Sequence, residues 1–471
     1  MIKVSSQAAK VCVAKVHEAG QEHVFSHWEA LSSEERKALL AQLREVDFQL
    51  MKRLVQQHLH SQDASKEIVL HAPETNSVPR AEENREEYEL CRSLGEYAFK
   101  NGEVSLVTAS GSAGEGPNAE PVGLMPVGPV TGKSVFQLHA EKVRALNRRH
   151  KVSTRWYIFC HPHALEATGR YFKEQSYFGL NCSDIQFHAQ DVLPVVNRRG
   201  KLLLSNRGKL SMHTKGEGDI LLQLLSDEFL NFFDKQNIKY LYYFQADNAL
   251  VKIGDLVFLG NHIKNEADMS SKYVRKNDPN EDLGVFGRTN GCHRVIPRHE
   301  LDNEESERRE DDGSLMFHAG NIGNHIFSIR FLQELRDQNF ELPFHRAACA
   351  MPYIAKNGRL TRPTEPNCVH FQTFIADALL AAKRAPLMQV DRKEEFSPIR
   401  NTAGKDSPQT AQRDLSELYA NWLRSACANG GSNGEKEFAR TVEISPLYAI
   451  DADELKEKIE LPVDMTSDIL L

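Results

Sequence analysis

At 471 residues the chain is long enough for two or three domains around one sizeable core. Its 41% hydrophobic and 26% charged residues are ordinary for a soluble globular protein, and a formal net charge of -7 argues against the basic face of a nucleic-acid binder. Nowhere do about twenty apolar residues run together, so no membrane span is expected. Met1 opens a mixed polar segment without a signal pattern, and the eight cysteines, from Cys12 to Cys427, lack paired metal-ligand spacing. These features lead to the expectation of a reducing, cytoplasmic setting in which most thiols are buried filler.

The first hundred residues read as helices. Ser32 and Glu35 form a capping box ahead of residues 37–43, and Leu39, Leu43, Val46, Leu50 and Leu54 recur at helical spacing and should face a core. Residues 62–87 are polar, with Pro73 and Pro79, and read as a surface crossing. From Val104 the pattern changes to strands at 104–108, 155–160 and 238–244, with a small-residue loop at 109–117 and an amphipathic helix at 133–150. Such alternation predicts a largely parallel α/β sheet that binds ligands at the carboxyl ends of its strands. Residues 429–434, NGGSNG, mark a flexible loop before a small terminal unit. The expected division is 1–100, 101–380 and 381–471.

Two places could carry chemistry. Residues 111–116, GSAGEG, follow a strand, and glycines there let backbone N–H groups approach a phosphate. Any tight strand-to-helix turn also favours glycine, and Glu115 would repel a phosphate. Asp247-Asn248 follows the aromatic strand, where a carboxylate can hold Mg²⁺ that bridges phosphate oxygens. The bland alternative is that both residues only form the turn.

The run 240–252, YLYYFQADNALVK, resembles the metal-aspartate strand of the UDP-N-acetylglucosamine and related UDP-sugar pyrophosphorylases. Further matches follow in the family's order: GKSVFQLHAEK at 132–142, YFGL at 177–180, AGNI at 319–322 with His325, LPFHR at 342–346, EFSP at 395–398 and EISPL at 443–447. The resemblance runs from about Glu29 to about Leu455. It implies an α/β, Rossmann-like nucleotidyltransferase domain with a helical N-terminal part and a small C-terminal domain. It also implies Mg²⁺ and uridylyl transfer from UTP to a sugar 1-phosphate, with release of pyrophosphate. In such chemistry, positioning and electrostatic stabilisation do most of the work.

The match fails where phosphates would be held. The family's loop G-G-x-G-T-R-L-G, followed by P-K-G, places Glu115 at its arginine and Val122 at its lysine when aligned through Pro121 and Gly123. Its G-N-G-G or G-H-G-G loop is here Gly216-Glu217-Gly218-Asp219, with two extra acids. Pro297 replaces a sugar-contacting glutamate, and His370 and Gln372 replace the charged members of N-G-x-K-x-E. By resemblance, Gly111, Gly123, Gln190, Gly216, Gly218 and Asn248 belong to the nucleotide side and Asp247 to the metal. Asn321, Asn367 and Arg400 belong to the sugar side, Arg400 keeping the charge of a family lysine. Lys133, Lys209, Lys215 and Arg400 are candidate replacements for the lost cations. The resulting expectation is a UTP or UDP-sugar pocket with impaired or altered transfer, or a non-catalytic nucleotide-sugar-binding or scaffold protein.

Overall fold

Helix α1 (Gln7–Glu18) starts the fold in the computed structural model, which describes residues 2–4, 6–60, 70–73, 84–113, 120–428, 441–460 and 467–471. The capping box is present: the Ser32 hydroxyl accepts the Glu35 N–H, and the Glu35 carboxylate accepts the Ser32 N–H, opening helix α2 (Ser33–Glu45). The apolar repeat does not continue through one helix, however. Val46 is extended, and Asp47 caps a new helix, α3 (Phe48–Val55), by accepting the N–H groups of Gln49 and Leu50. A short carboxylate that satisfies local N–H groups competes with helix continuation, and the periodicity hid it. Leu39, Leu43, Val46 and Leu54 are buried, whereas Leu50 is half-buried.

Helix α4 (Arg85–Lys100) lies on the α/β unit itself. A Cβ added at Gly95 would come within 2.0 Å of the Leu256 carbonyl oxygen, so only glycine admits this approach of two backbones. Strands β1 (Val104–Ala109), β2 (Trp156–Cys160), β3 (Ile185–Ala189) and β4 (Tyr240–Gln245) form the parallel half of a nine-stranded sheet, in the spatial order β4-β1-β2-β3. Helix α5 (Val135–His150) makes the crossover from β1 to β2. The far half comprises β5 (Met269–Arg275), β6 (Val285–Thr289), β7 (Cys292–Ile296) and β8 (Ala319–Ser328), and β8 pairs antiparallel with β4, β5 and β6. Strands β9 (His345–Cys349) and β10 (Cys368–Gln372) belong to a separate three-stranded sheet, and β11 (Leu387–Val390) returns to pair in parallel with β5.

Strands β1 and β2 are buried at every position because both faces are covered. Val107, Tyr157 and Tyr243 enter one core, while Leu106, Trp156, Tyr242 and Phe244 enter the other. Helix α6 (Pro408–Ala428) packs behind the β1 and β4 loops, through a cluster that joins Leu415 and Leu423 to Val122, Leu250 and Ile399. The expected loop at 429–434 lies outside the described residues. Among the described residues, no helix is long and apolar enough to cross a membrane.

Candidate nucleotide and metal site

Parallel strands deliver their loops to one edge, and three of the predicted segments meet there. Gly111 follows β1, Gln190 follows β3 and Asp247 follows β4. A Cβ built on Gly111 would stand 3.7 Å from the Asp247 Cβ and 4.0 Å from the Val122 Cγ2. Gln190 donates its side-chain N–H to the Gly216 carbonyl at 3.2 Å, so the 216–219 turn is tied to the same edge. Gly216 has φ +84°, and a Cβ there would come within 2.4 Å of the Thr373 carbonyl oxygen, which explains the glycine. Glu115 and its neighbours at 114–119 lie outside the described residues.

Asp247 is half-buried, and its carboxylate makes no ion pair among the described residues. Burial pushes its carboxyl up to about 6, opposed by the Arg400 guanidinium. Glu217 comes from the 216–219 turn to the same corner, where Gln245 donates a side-chain N–H to it. Burial, and then the charge of Asp247, push the Glu217 carboxyl up to about 7. Two carboxyl oxygen donors in one corner, with Glu217 raised by the charge of Asp247, suit a hard divalent cation, so the residues fit Mg²⁺.

An aspartate just past the carboxyl end of a parallel strand, facing Gly111, stands where α/β sheets bind ligands. A family model described as UTP–glucose-1-phosphate uridylyltransferase matches residues 52–415. The chain belongs to that uridylyltransferase family, the UDP-sugar pyrophosphorylases. It is 33% identical to the UDP-N-acetylglucosamine pyrophosphorylase of Saccharomyces cerevisiae, over 87% of this chain and 90% of that one. Identity is 30% to UDP-N-acetylhexosamine pyrophosphorylase-like protein 1 of Xenopus tropicalis, over 94% of this chain and 93% of the relative. The solved Trypanosoma brucei UDP-N-acetylglucosamine pyrophosphorylase shares the fold with a TM-score of 0.80 at 24% identity, over 97% of this chain and 95% of that one.

Within this uridylyltransferase frame, several predicted contacts have other occupations. The Asn248 side chain donates to the Glu395 carbonyl at 2.7 Å and accepts from the Ser397 and Leu250 N–H groups, at 2% exposure. It fastens the aspartate turn to the FSP segment. Asn367 likewise spends its amide on both backbone groups of Met351, at 2.9 and 3.1 Å. Gly123 lies against the Phe136 ring, where a Cβ would come within 1.9 Å, and Gly218 lies against Thr373. Asn321 stays near the edge: it accepts from Gly323 N–H at 3.0 Å, and Gly323 abuts the Gln245 side chain.

Val122, at the family's lysine position, is 1% exposed among Leu138, Leu250 and Ile399. Of the two added acids only Glu217 meets Asp247; Asp219 turns inward to accept from the Asp191 N–H at 2.7 Å and from Gln223 at 2.8 Å. Among the substitute cations, Lys133 pairs with Glu141 at 2.9 Å, Lys209 sits in a hairpin against α2, and Lys215 pairs with Asp191 at 2.7 Å beside the 216–219 turn. Arg400 donates to the Asp282 carbonyl, and its charge reaches both Asp247 and Glu217.

Sequence reasoning missed Gln245 and Thr373. Gln245 is the last residue of β4, two before Asp247; that closeness could have found it. Thr373 gives no such signal, because its contact with the Lys215 carbonyl joins segments 158 residues apart.

Proposed function

We propose that this chain holds a uridine nucleotide or UDP-sugar, with Mg²⁺, at the carboxyl ends of β1, β3 and β4, and transfers uridylyl groups far more slowly than a family member with intact phosphate cations. The observation that carries this reading is Val122: an apolar side chain, fully packed, stands where the family's phosphate-binding lysine is expected. Asp247 would hold the metal and Glu217 would flank it, and Mg²⁺ would supply positive charge to offset that of the phosphates. Arg400 is the cation in electrostatic reach of both carboxyls. Each lost charge-assisted contact removes about 1.5–3 kcal/mol, and each 1.4 kcal/mol is about tenfold in rate. Losing two cations therefore outweighs what one arginine, already engaged with Asp282, can restore.

Isothermal titration with UTP and with UDP-N-acetylglucosamine, each with and without Mg²⁺, tests the pocket. Saturable, Mg²⁺-strengthened binding is expected. No heat with either nucleotide would reject the pocket and leave the fold as a scaffold.

A further inference from the structure

Residues directly opposite on antiparallel strands have Cα atoms about 4.5–5.5 Å apart, within the span of a disulfide. Cys349, the last residue of β9, stands opposite Cys368, the first of β10. Their sulfurs lie 3.0 Å apart, and the Cys368 Sγ is 3.1 Å from the Cys349 carbonyl oxygen. Cys349 is half-buried and Cys368 buried, so Cys349 is the more accessible of the pair. His370, two residues along β10, stacks on His213 with ring centres 3.8 Å apart. Two thiols beside two imidazoles invite a metal reading. Among the described residues, however, no group of three or more His, Cys, Asp or Glu side chains is placed to hold one.

We propose that Cys349 and Cys368 form a covalent modification site that accepts a small-molecule disulfide, such as glutathione disulfide, and closes to an intramolecular cross-strand bond. The Cys349 thiolate attacks one sulfur of glutathione disulfide, forming a mixed disulfide and releasing one glutathione thiolate. The Cys368 thiol then loses its proton and its sulfur displaces the second glutathione. Two protein thiols are oxidised by two electrons, and one glutathione disulfide is reduced to two glutathiones. The first exchange is slow at neutral pH, because the Cys368 thiol and burial hold the Cys349 thiol well above its ordinary range. The bond would staple β10, which runs on to Thr373, the residue that donates its N–H to the Lys215 carbonyl at 2.6 Å under the 216–219 turn.

The test needs no nucleotide and so is independent of the pocket. The reduced full chain, freed of reductant, is incubated natively with glutathione disulfide at mildly alkaline pH, alkylated and digested with trypsin. A linked pair of peptides 347–356 and 360–383, lost on reduction, is the expected product, with the other six cysteines alkylated. Cys182→Ser should leave the linked pair unchanged, and Cys349→Ser should abolish it. Both peptides fully alkylated, or glutathione retained on Cys349 with Cys368 alkylated, would overturn the proposal. So would a zinc ion that the reduced chain retains and Cys349→Ser releases. The link is read on the natural chain, so a variant that fails to fold cannot decide the matter.

Discussion

Glu217 and Asp247 place two half-buried carboxyls in one corner at the end of β4, and the charge of Asp247 is one of the forces that holds Glu217 protonated to about pH 7. Both acids are raised above their ordinary ranges, so their contribution to stability is fully present only below about pH 4. It is lost from there, where the unfolded chain ionises first, up to about 6 and about 7, where they ionise in the folded chain as well. Glu217→Gln should remove part of that loss. Urea unfolding should find the variant more stable than the parent by on the order of 1–3 kcal/mol at about pH 8, with little difference near pH 4.5. A gain of equal size at both pH values would show that Glu217 does not titrate in this corner.

The same pair makes the metal testable. Asp247→Asn keeps the size and polarity of the side chain but removes a hard anionic donor, so Mg²⁺ should no longer strengthen UTP binding. The comparison is UTP affinity with and without Mg²⁺ in parent and variant. An unchanged Mg²⁺ effect would make Asp247 a turn residue.

Packing and charge repair separate at Val122. Its cluster with Leu138, Leu250 and Ile399 has no room for a solvated ammonium, so Val122→Lys should cost about 2–4 kcal/mol in thermal or urea unfolding. A variant as stable as the parent would mean that the lysine finds the Gly111 side of the corner, and that the site is more readily restored than the packing implies.

Glu115→Arg reverses one charge in the segment that follows Gly111 in the sequence. UTP affinity should rise about tenfold at low salt and less at high salt, as expected for a charge near phosphate. Unaltered affinity in the folded variant would place this segment away from the nucleotide.

These tests follow from a division in what the sequence could reveal. Strand runs, the Ser32–Glu35 box and the glycine and aspartate at strand ends were legible because each depends on neighbours a few residues away. The α2–α3 break was not, because the apolar repeat crosses Asp47 unaltered while the local carboxylate ends the helix. Motif position places Asn248 on the nucleotide side and Asn367 on the sugar side, but it does not reveal what holds them. Asn248 satisfies backbone groups 147 and 149 residues distant, and Asn367 those of a loop 16 residues back. Glu217 was visible as an added acid, but its meeting with Asp247 required the Gln190–Gly216 tie that only the fold supplies.

Pyrophosphorolysis of UDP-N-acetylglucosamine, followed as UTP release with saturating Mg²⁺ and pyrophosphate, tests the central claim most directly. The packed Val122 and the Glu217–Asp247 corner predict turnover below about 0.1 per second, under the range of typical enzymes. Turnover of about one per second or faster would contradict the account and show that other cations reach the phosphates.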